Sequence, residues 1–300
     1  MKRYDIVFEI LHYMAVDSTL ETIRYIARNI DTDDWLAVIV DNASPDGSGK
    51  VLDDTYKENE HFVVLHNSSN QGFTRGNNLG IDHIRENYEF DFMVVMNNDV
   101  MLIETAFLHK LRKYHDKYDF AVAGPNVVDT YGAVANPVAR ELPSDQLIRE
   151  RMEGPRKVLK YDKFGLMRLY VFISYSGFRI KRFIRKETRK KYDRDVLRDV
   201  VLQGSFWVFS NSFFDVFPRL ADKEYMYGEE ETLQLCVSKK GLTSLYMPDI
   251  VVLHMHARAT AAAYRNKSEM LRFSAYNKSN TWKEYVNLKE KLERDGVESS

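Results

Sequence analysis

Residues 35–48 read Trp35-Leu36-Ala37-Val38-Ile39-Val40-Asp41-Asn42-Ala43-Ser44-Pro45-Asp46-Gly47-Ser48. The unbroken apolar run Trp35–Val40 suits a strand buried on both faces, as in a parallel sheet. The residues after it are turn formers and helix caps, so the strand stops abruptly and a helix is predicted over about Gly49–Tyr56. The same unit recurs on either side. Tyr4–Leu11 is a short apolar segment followed by Asp17-Ser18-Thr19 and a helical pattern through Leu20, Ile23, Ile26 and Ala27. Phe62–His66 runs into Asn67-Ser68-Ser69-Asn70-Gln71-Gly72-Phe73, with a helix predicted over Gly76–Arg85, and Phe92–Met96 is closed by Asn97-Asn98-Asp99. Strands and helices alternating at this spacing predict an α/β fold built on a mostly parallel, doubly wound sheet. Such sheets bind ligands at the carboxyl ends of their strands. The polar clusters of the first hundred residues should therefore converge on one edge.

Further along, strands are predicted over Phe120–Ala123 and Val200–Phe209, a helix over Glu229–Lys239, and a strand pair over Ser244–His254 interrupted at Pro248. The last 35 or so residues read as helix. Residues 151–195 differ from the rest, with 15 Lys/Arg against 5 Asp/Glu, interleaved with Phe164, Tyr170, Phe172, Tyr175 and Phe178. A formal net charge of -1 hides this basic helical insertion. It reads either as an amphipathic element for anionic lipid headgroups or as an insertion with a solvated basic face. No recognised nucleic-acid module accompanies the charge, so no nucleic-acid partner is expected. The single cysteine, Cys236, excludes an intramolecular disulfide and suits a reducing compartment. Asp5, Glu9 and His12 interrupt the first apolar run, so no secretory leader is visible. No apolar run reaches the roughly 18–20 residues of a membrane span. The expected location is the cytoplasm, with peripheral contact at the inner face of the cell membrane on the lipid reading.

The strand-end clusters carry distinct chemistry. A carboxylate at position 41 can accept a hydrogen bond from the imide N–H of a pyrimidine base, while the neighbouring Ser and Asp groups cap the next helix. In Asn70-Gln71-Gly72-Phe73-Thr74-Arg75-Gly76-Asn77-Asn78-Leu79-Gly80, glycines and Arg75 precede a helix N-terminus, where backbone N–H groups and the helix dipole favour phosphate. This is neither a Walker loop nor the dinucleotide fingerprint. Asp99 suits a hard divalent cation that also holds substrate phosphates, with Asn97 adding a neutral carbonyl or acting through water. Each cluster alone also reads as an ordinary turn or cap. Their joint occurrence favours a site.

In this order, the segments resemble the inverting family 2 glycosyltransferases of the GT-A fold. The family pattern is Val-Asp-Asn-x-Ser-x-Asp-Gly-Ser, then Asn-x-Gly-Phe with Gly-x-Asn-x-Gly, then Asn-x-Asp or Asp-x-Asp. Downstream, Leu202-Gln203-Gly204-Ser205-Phe206, Tyr227-Gly228-Glu229-Glu230-Glu231, Met247-Pro248-Asp249 and Val251-Val252-Leu253-His254 are similar to later elements of the family, so the likeness spans about residues 4–260. It implies a metal-dependent transferase moving a hexosyl or deoxyhexosyl group from a UDP- or dTDP-linked donor to a saccharide or polyprenyl-linked acceptor. The context implied is surface polysaccharide assembly, as for bacterial rhamnosyl and galactofuranosyl transferases. It further implies that Asp41 contacts the base, that Asp99 binds Mg2+ or Mn2+ with His254 completing the metal site, and that Glu230 is the catalytic base. Asn42, Ser44, Asp46, Asn70, Gly72, Arg75, Asn78, Asn97, Asn98, Gly204 and Glu229 would line the substrate site.

Three positions depart from the pattern. Glu229-Glu230 replaces Glu-Asp, which lengthens the base by one methylene and leaves Glu229 and Glu231 as alternatives. Asn97 replaces an acidic residue that many members carry, and Cys236 stands where a basic residue is common. His254 and His256 also fit as ordinary strand histidines. The expected organisation is a nucleotide-sugar-binding half over residues 1–125, an acceptor-binding and catalytic half over 126–260 that contains the basic insertion, and a C-terminal helical extension over 261–300. Two rival readings compete with it. One is a non-catalytic glycosyltransferase-like binding or assembly module. The other is a sugar nucleotidyltransferase, which should show an early Gly-rich loop that is missing here.

Overall fold

The structure is a computed structural model that describes residues 1–166, 170, 193–221, 227–255 and 267–297. Much of the basic segment, including Phe172, Tyr175 and Phe178, lies outside the described residues, as does His256.

Four parallel strands, β1 (Lys2–His12), β2 (Trp35–Asp41), β3 (Phe62–His66) and β4 (Tyr88–Asn97), stand in the order β3-β2-β1-β4. Their register pairs His12 with Asp41 and Leu11 with Asn97, so the strands finish level along one edge. The sheet continues through β5 (Val100–Leu102), β6 (Val122–Asp129), β7 (Leu197–Arg198), β8 (Phe206–Ser210) and β9 (Ser244–His254), in the order β3-β2-β1-β4-β8-β6-β9-β5 with β7 on β9. β8 runs antiparallel to both β4 and β6. Its start, not its end, therefore reaches the edge where β4 finishes. Only Asn98 and Asp99 separate β4 from β5, although β5 closes the opposite end of the sheet order. The sheet must curl until its far end meets the end of β4.

The strands read as continuous apolar runs because both faces are covered. Along β1, Ile6, Phe8 and Ile10 point to one side and Val7 to the other, the two-residue alternation of a strand. Helices α1 (Val16–Asn29), α2 (Ser48–Tyr56) and α4 (Phe107–Tyr118) cover the first face with Ile23, Ile26, Leu52, Phe107 and Leu111. Helices α3 (Gly72–Asn87), α6 (Asn211–Val216) and α7 (Glu229–Lys239) cover the second with Ile81, Ile84, Phe213, Leu233 and Val237. The sheet and these helices form one compact unit; α5 (Asp145–Lys163) and α8 (Lys267–Val297) belong to a second. In that second unit Ser144 caps α5 by accepting from the Leu147 N–H at 3.3 Å. Val158 packs against Ala275, and Lys289 pairs with Asp145 at 2.7 Å.

Several boundaries differ from the sequence reading. Ser244–His254 is one strand, not a pair: β6 and β9 slip register between Pro125 and Asn126, so Pro248, Asp249 and Ile250 are absorbed as a bulge. The segment expected as strand Val200–Phe209 begins with an isolated bridge from Val201 to Ala139 and becomes β8 only at Phe206. Helix α3 starts at Gly72, earlier than the expected Gly76, because Asn70 Oδ1 accepts from the Gly72 N–H at 3.0 Å and supports the first turn.

One buried group opposes this packing. Glu9 on β1 is fully buried beneath Gly80 of α3, and neither carboxyl oxygen has a hydrogen-bond partner among the described residues. Burial raises its pKa well above the ordinary value of 4.5. The folded state thus keeps a proton that the unfolded chain releases, and stability falls as pH rises above about 4.5 toward the folded pKa. Glu9→Leu is expected to stabilise the protein at pH 8 by about 1–3 kcal/mol, the cost of an unsatisfied buried polar group. Denaturant titrations at pH 5 and pH 8 check this, and a variant as pH-sensitive as the parent would contradict it.

Candidate active site

One corner of the site forms where β2 ends. Asp41 is buried, its Oδ1 accepting from the Ser44 N–H at 3.1 Å and its Oδ2 lying 3.3 Å from His66 Nδ1. The other ring nitrogen of His66 is 3.0 Å from both oxygens of Asp53. Burial pulls the His66 pKa down, but hydrogen bonds and charge from Asp53 and Asp41 outweigh it and leave the pKa above its ordinary range. Gly49 is required here. A Cβ at that position would sit 2.2 Å from Asp41 Oδ2. Gly49→Ala is therefore expected to push Asp41 out of place and cost about 1–3 kcal/mol of stability, with a matching loss of nucleotide affinity readable by calorimetry. Unchanged binding would show that Asp41 does not face the nucleotide.

Asn42 joins the second loop to the first. Its Oδ1 accepts from Asn67 Nδ2 at 3.1 Å and the Gln71 N–H at 3.0 Å, while its Nδ2 donates to Asn70 Oδ1 at 3.2 Å and Gly72 O at 3.0 Å. With both hydrogens and both acceptor positions used, this amide fixes the loops. Asn78 is likewise tied to Leu220, through bonds of 3.0 and 3.1 Å. Arg75 stands exposed in the first turn of α3. Ser44 Oγ accepts from the Met14 N–H at 2.8 Å. Met14, Ala15 and Ala43 all hold positive φ, at 58°, 51° and 60°. Left-handed backbone at non-glycine residues is strained, and such strain concentrates at functional loops.

The sequence reading passed over His12. It is fully buried at the end of β1, with Nδ1 2.7 Å from Thr19 Oγ1 and Nε2 2.9 Å from Ser48 Oγ. Burial lowers its pKa, with Asp41 and Asp46 opposing the shift. Ser48 Oγ in turn donates to Asp46 Oδ1 at 2.5 Å, and Asn98 Nδ2 donates to Thr19 Oγ1 at 2.9 Å. The only signal in the sequence was its place at the end of the strand adjoining Asp41.

At the other corner, the Asn97 N–H donates to Ser205 O at 3.0 Å, which holds the end of β4 beside the start of β8. Next to Ser205, the Gly204 N–H donates to Glu230 Oε1 at 3.3 Å. Glu229 and Glu230 are half-buried in the first turn of α7, whereas Glu231 is buried. On the far side of Asn98, β5 pairs Val100 with His254, and His254 Nε2 lies 3.2 Å from Asp99 Oδ1. Glu230, Gly204, Asn97, Asp99 and His254 thus form a continuous series along one edge. Among the described residues no group of three or more His, Cys, Asp or Glu side chains is arranged to hold a metal ion. The Asp99–His254 pair nevertheless suits a cation that takes its remaining ligands from diphosphate and water, since neighbouring ligands at about 2.1 Å from an octahedral ion lie roughly 3 Å apart.

A family model described as Glycosyl transferase family 2 matches residues 10–176, more than half of the 300-residue chain. The chain belongs to glycosyl transferase family 2. No curated protein matches its sequence. Among solved structures, S. aureus TarS 1-349 in complex with UDP-GlcNAc is 11% identical, with a TM-score of 0.53 over 90% of this chain and 60% of that one. Mannosyltransferase PcManGT from Pyrobaculum calidifontis, in complex with GDP-Man and Mn2+, is 12% identical, with a TM-score of 0.52 over 96% of this chain and 75% of that one. GalNAc-T7 with UDP, GalNAc and Mn2+ is also 12% identical, with a TM-score of 0.54 over 84% and 44%. At these identities the likeness is one of fold, and it bears out the expected GT-A architecture. This family 2 chain spans about 60% of the length of the TarS 1-349 chain. No helix among its described residues is long and apolar enough to cross a membrane.

Proposed function

We propose that this family 2 chain is an inverting glycosyltransferase that moves a hexosyl or deoxyhexosyl group from a UDP- or dTDP-linked donor to a saccharide or polyprenyl-linked acceptor. The observation that carries the reading is the series Glu230–Gly204–Asn97–Asp99–His254 on the same sheet edge as Asp41. The nucleotide sugars and Mn2+ in the related structures support it.

On this reading residues 1–125 bind the donor: Asp41 meets the base, and Arg75 with the α3 N-terminus meets the diphosphate. Asn42 and Asn78 hold the loops, because their amides are already committed to protein partners. Asp99 and His254 would hold Mg2+ or Mn2+, which when bound neutralises charge on the departing nucleoside diphosphate. Residues 126–260 bind the acceptor. Glu230 takes the proton of the acceptor hydroxyl while the acceptor oxygen bonds to the anomeric carbon and the carbon–phosphate-oxygen bond breaks. Attack from the face opposite the leaving group inverts that carbon. The biological setting proposed is surface polysaccharide assembly of the rhamnosyl or galactofuranosyl type, in the cytoplasm and in peripheral contact with the membrane through the basic insertion.

The direct test is release of nucleoside diphosphate from UDP-, dTDP- and GDP-sugars with Mn2+ or Mg2+. Release above background with one donor is expected. No release with any of them, together with no thermal stabilisation, would favour a binding module instead. Flotation with anionic vesicles tests the membrane contact, and a protein that stays in the dense fraction would contradict it.

A further inference from the structure

The direction of every proton in the chain from exposed Asp46 to half-buried Asn98 can be derived from one end. A carboxylate only accepts. The Asp46 carboxyl is pushed up by burial, but bonds from Ser48 Oγ and from the backbone N–H groups of Ser48 and of Asp46 itself outweigh this and hold its pKa below the ordinary range. The Ser48 hydroxyl proton therefore lies toward Asp46, and Ser48 Oγ must accept from His12 Nε2–H at 2.9 Å. With one proton on the ring, Nδ1 accepts from the Thr19 hydroxyl at 2.7 Å. Thr19 Oγ1 is left to accept from Asn98 Nδ2 at 2.9 Å. The order is Asn98 to Thr19 to His12 to Ser48 to Asp46, with each bond donated in one sense.

We propose that His12 is a positioning residue that couples the Asp41–Ser48 loop to the Asn97–Asp99 corner, so that the two ends of the nucleotide-sugar site are set as one unit. The proposal rests on the donor-site reading above. Its members come from the end of β1, the first turn of α1, the β2–α2 loop with the start of α2, and the β4–β5 link. Thr19, His12 and Ser48 are all buried, so water cannot replace a missing partner cheaply. α1 has a second hold on the corner, since Thr22 Oγ1 donates to Asn98 O at 2.9 Å. The chain ends on Asp46 and Asn98, neither of which contacts the other directly. A substitution at one end should be felt at the other only through His12.

The test is a double-mutant cycle on UDP affinity in the presence of Mn2+, using Asp46→Ala and Asn98→Ala, in the parent and in a His12→Phe background. In the parent the two substitutions together are expected to weaken binding by at least about fivefold less than the product of their separate effects, as for members of one network. In the His12→Phe background their effects should multiply. Nitrogen chemical shifts of His12 at pH 7.5 should report a neutral ring carrying its proton on Nε2. His12→Gln, which retains a donor toward Ser48, should recover part of the coupling, whereas a role limited to filling space would be met by Phe. Independent effects in a parent that binds UDP, or a proton on Nδ1, would overturn the coupling. A parent that binds no nucleotide at all would instead remove the donor-site reading, and with it the positioning role.

Discussion

Glu230→Gln is expected to lower kcat by about 10²–10⁴-fold, the usual contribution of a positioned general base, while donor affinity stays close to that of the parent. The substitution is informative because a Gln side-chain oxygen can still accept from the Gly204 N–H, as Glu230 Oε1 does at 3.3 Å. The start of β8 should therefore keep its shape, and only basicity is lost. Glu229→Gln provides the comparison, since Glu229 and Glu230 are both half-buried on the first turn of α7. Single-turnover transfer rates with saturating donor give the readout. If Glu229→Gln shows the larger loss, the base lies one residue earlier. If neither loses more than a few fold, no carboxylate on this turn is the base.

Asp99→Ala is expected to abolish the response to metal and to lower kcat/KM on the order of 10³-fold, equivalent to the several kcal/mol of charge stabilisation that a bound cation supplies. The fold should survive, because the bond from the Met255 N–H to Asp99 goes to the backbone carbonyl and Ala retains it. His254→Ala should cost less, since Asp99 keeps its charge. Activity measured against Mn2+ and Mg2+ concentration, with chelated controls, separates the two. Full activity of Asp99→Ala in chelator would mean that departure of the diphosphate is assisted by other groups, with Arg75 the first to examine.

How far the sequence revealed these features depended on the range of the interaction. β2, β3 and α7 were readable nearly to the residue, because a double-sided apolar run or a first turn of glutamates is a local signal. The direction of β8 was not, since an apolar pentapeptide looks the same whichever way its neighbours run. α4 was missed because its own N-cap residue, Ala106, provides no side-chain cap; its first N–H groups are bonded by Asp31, distant in sequence, at 2.7 and 3.0 Å. In the site, Asp41 and Asp99 stood out as acids at strand ends, and the Asp99–His254 pair was anticipated only through family resemblance. His12 and the saturated amide of Asn42 were hidden for one reason. Their significance lies in partners on other elements, and a single chain of letters does not display partners.

The two-residue link between β4 and β5 makes the length of this stretch as consequential as its identity. Asn98 and Asp99 span from one strand to another that is fixed independently through its pairing with β9. A single-residue insertion or deletion here would turn Val100, Met101 and Leu102 to the opposite side of the sheet or carry Asp99 out of line with His254. In a library of random indels this segment should therefore be nearly empty of active clones, whereas the exposed Tyr131–Gly132 turn should accept added residues freely.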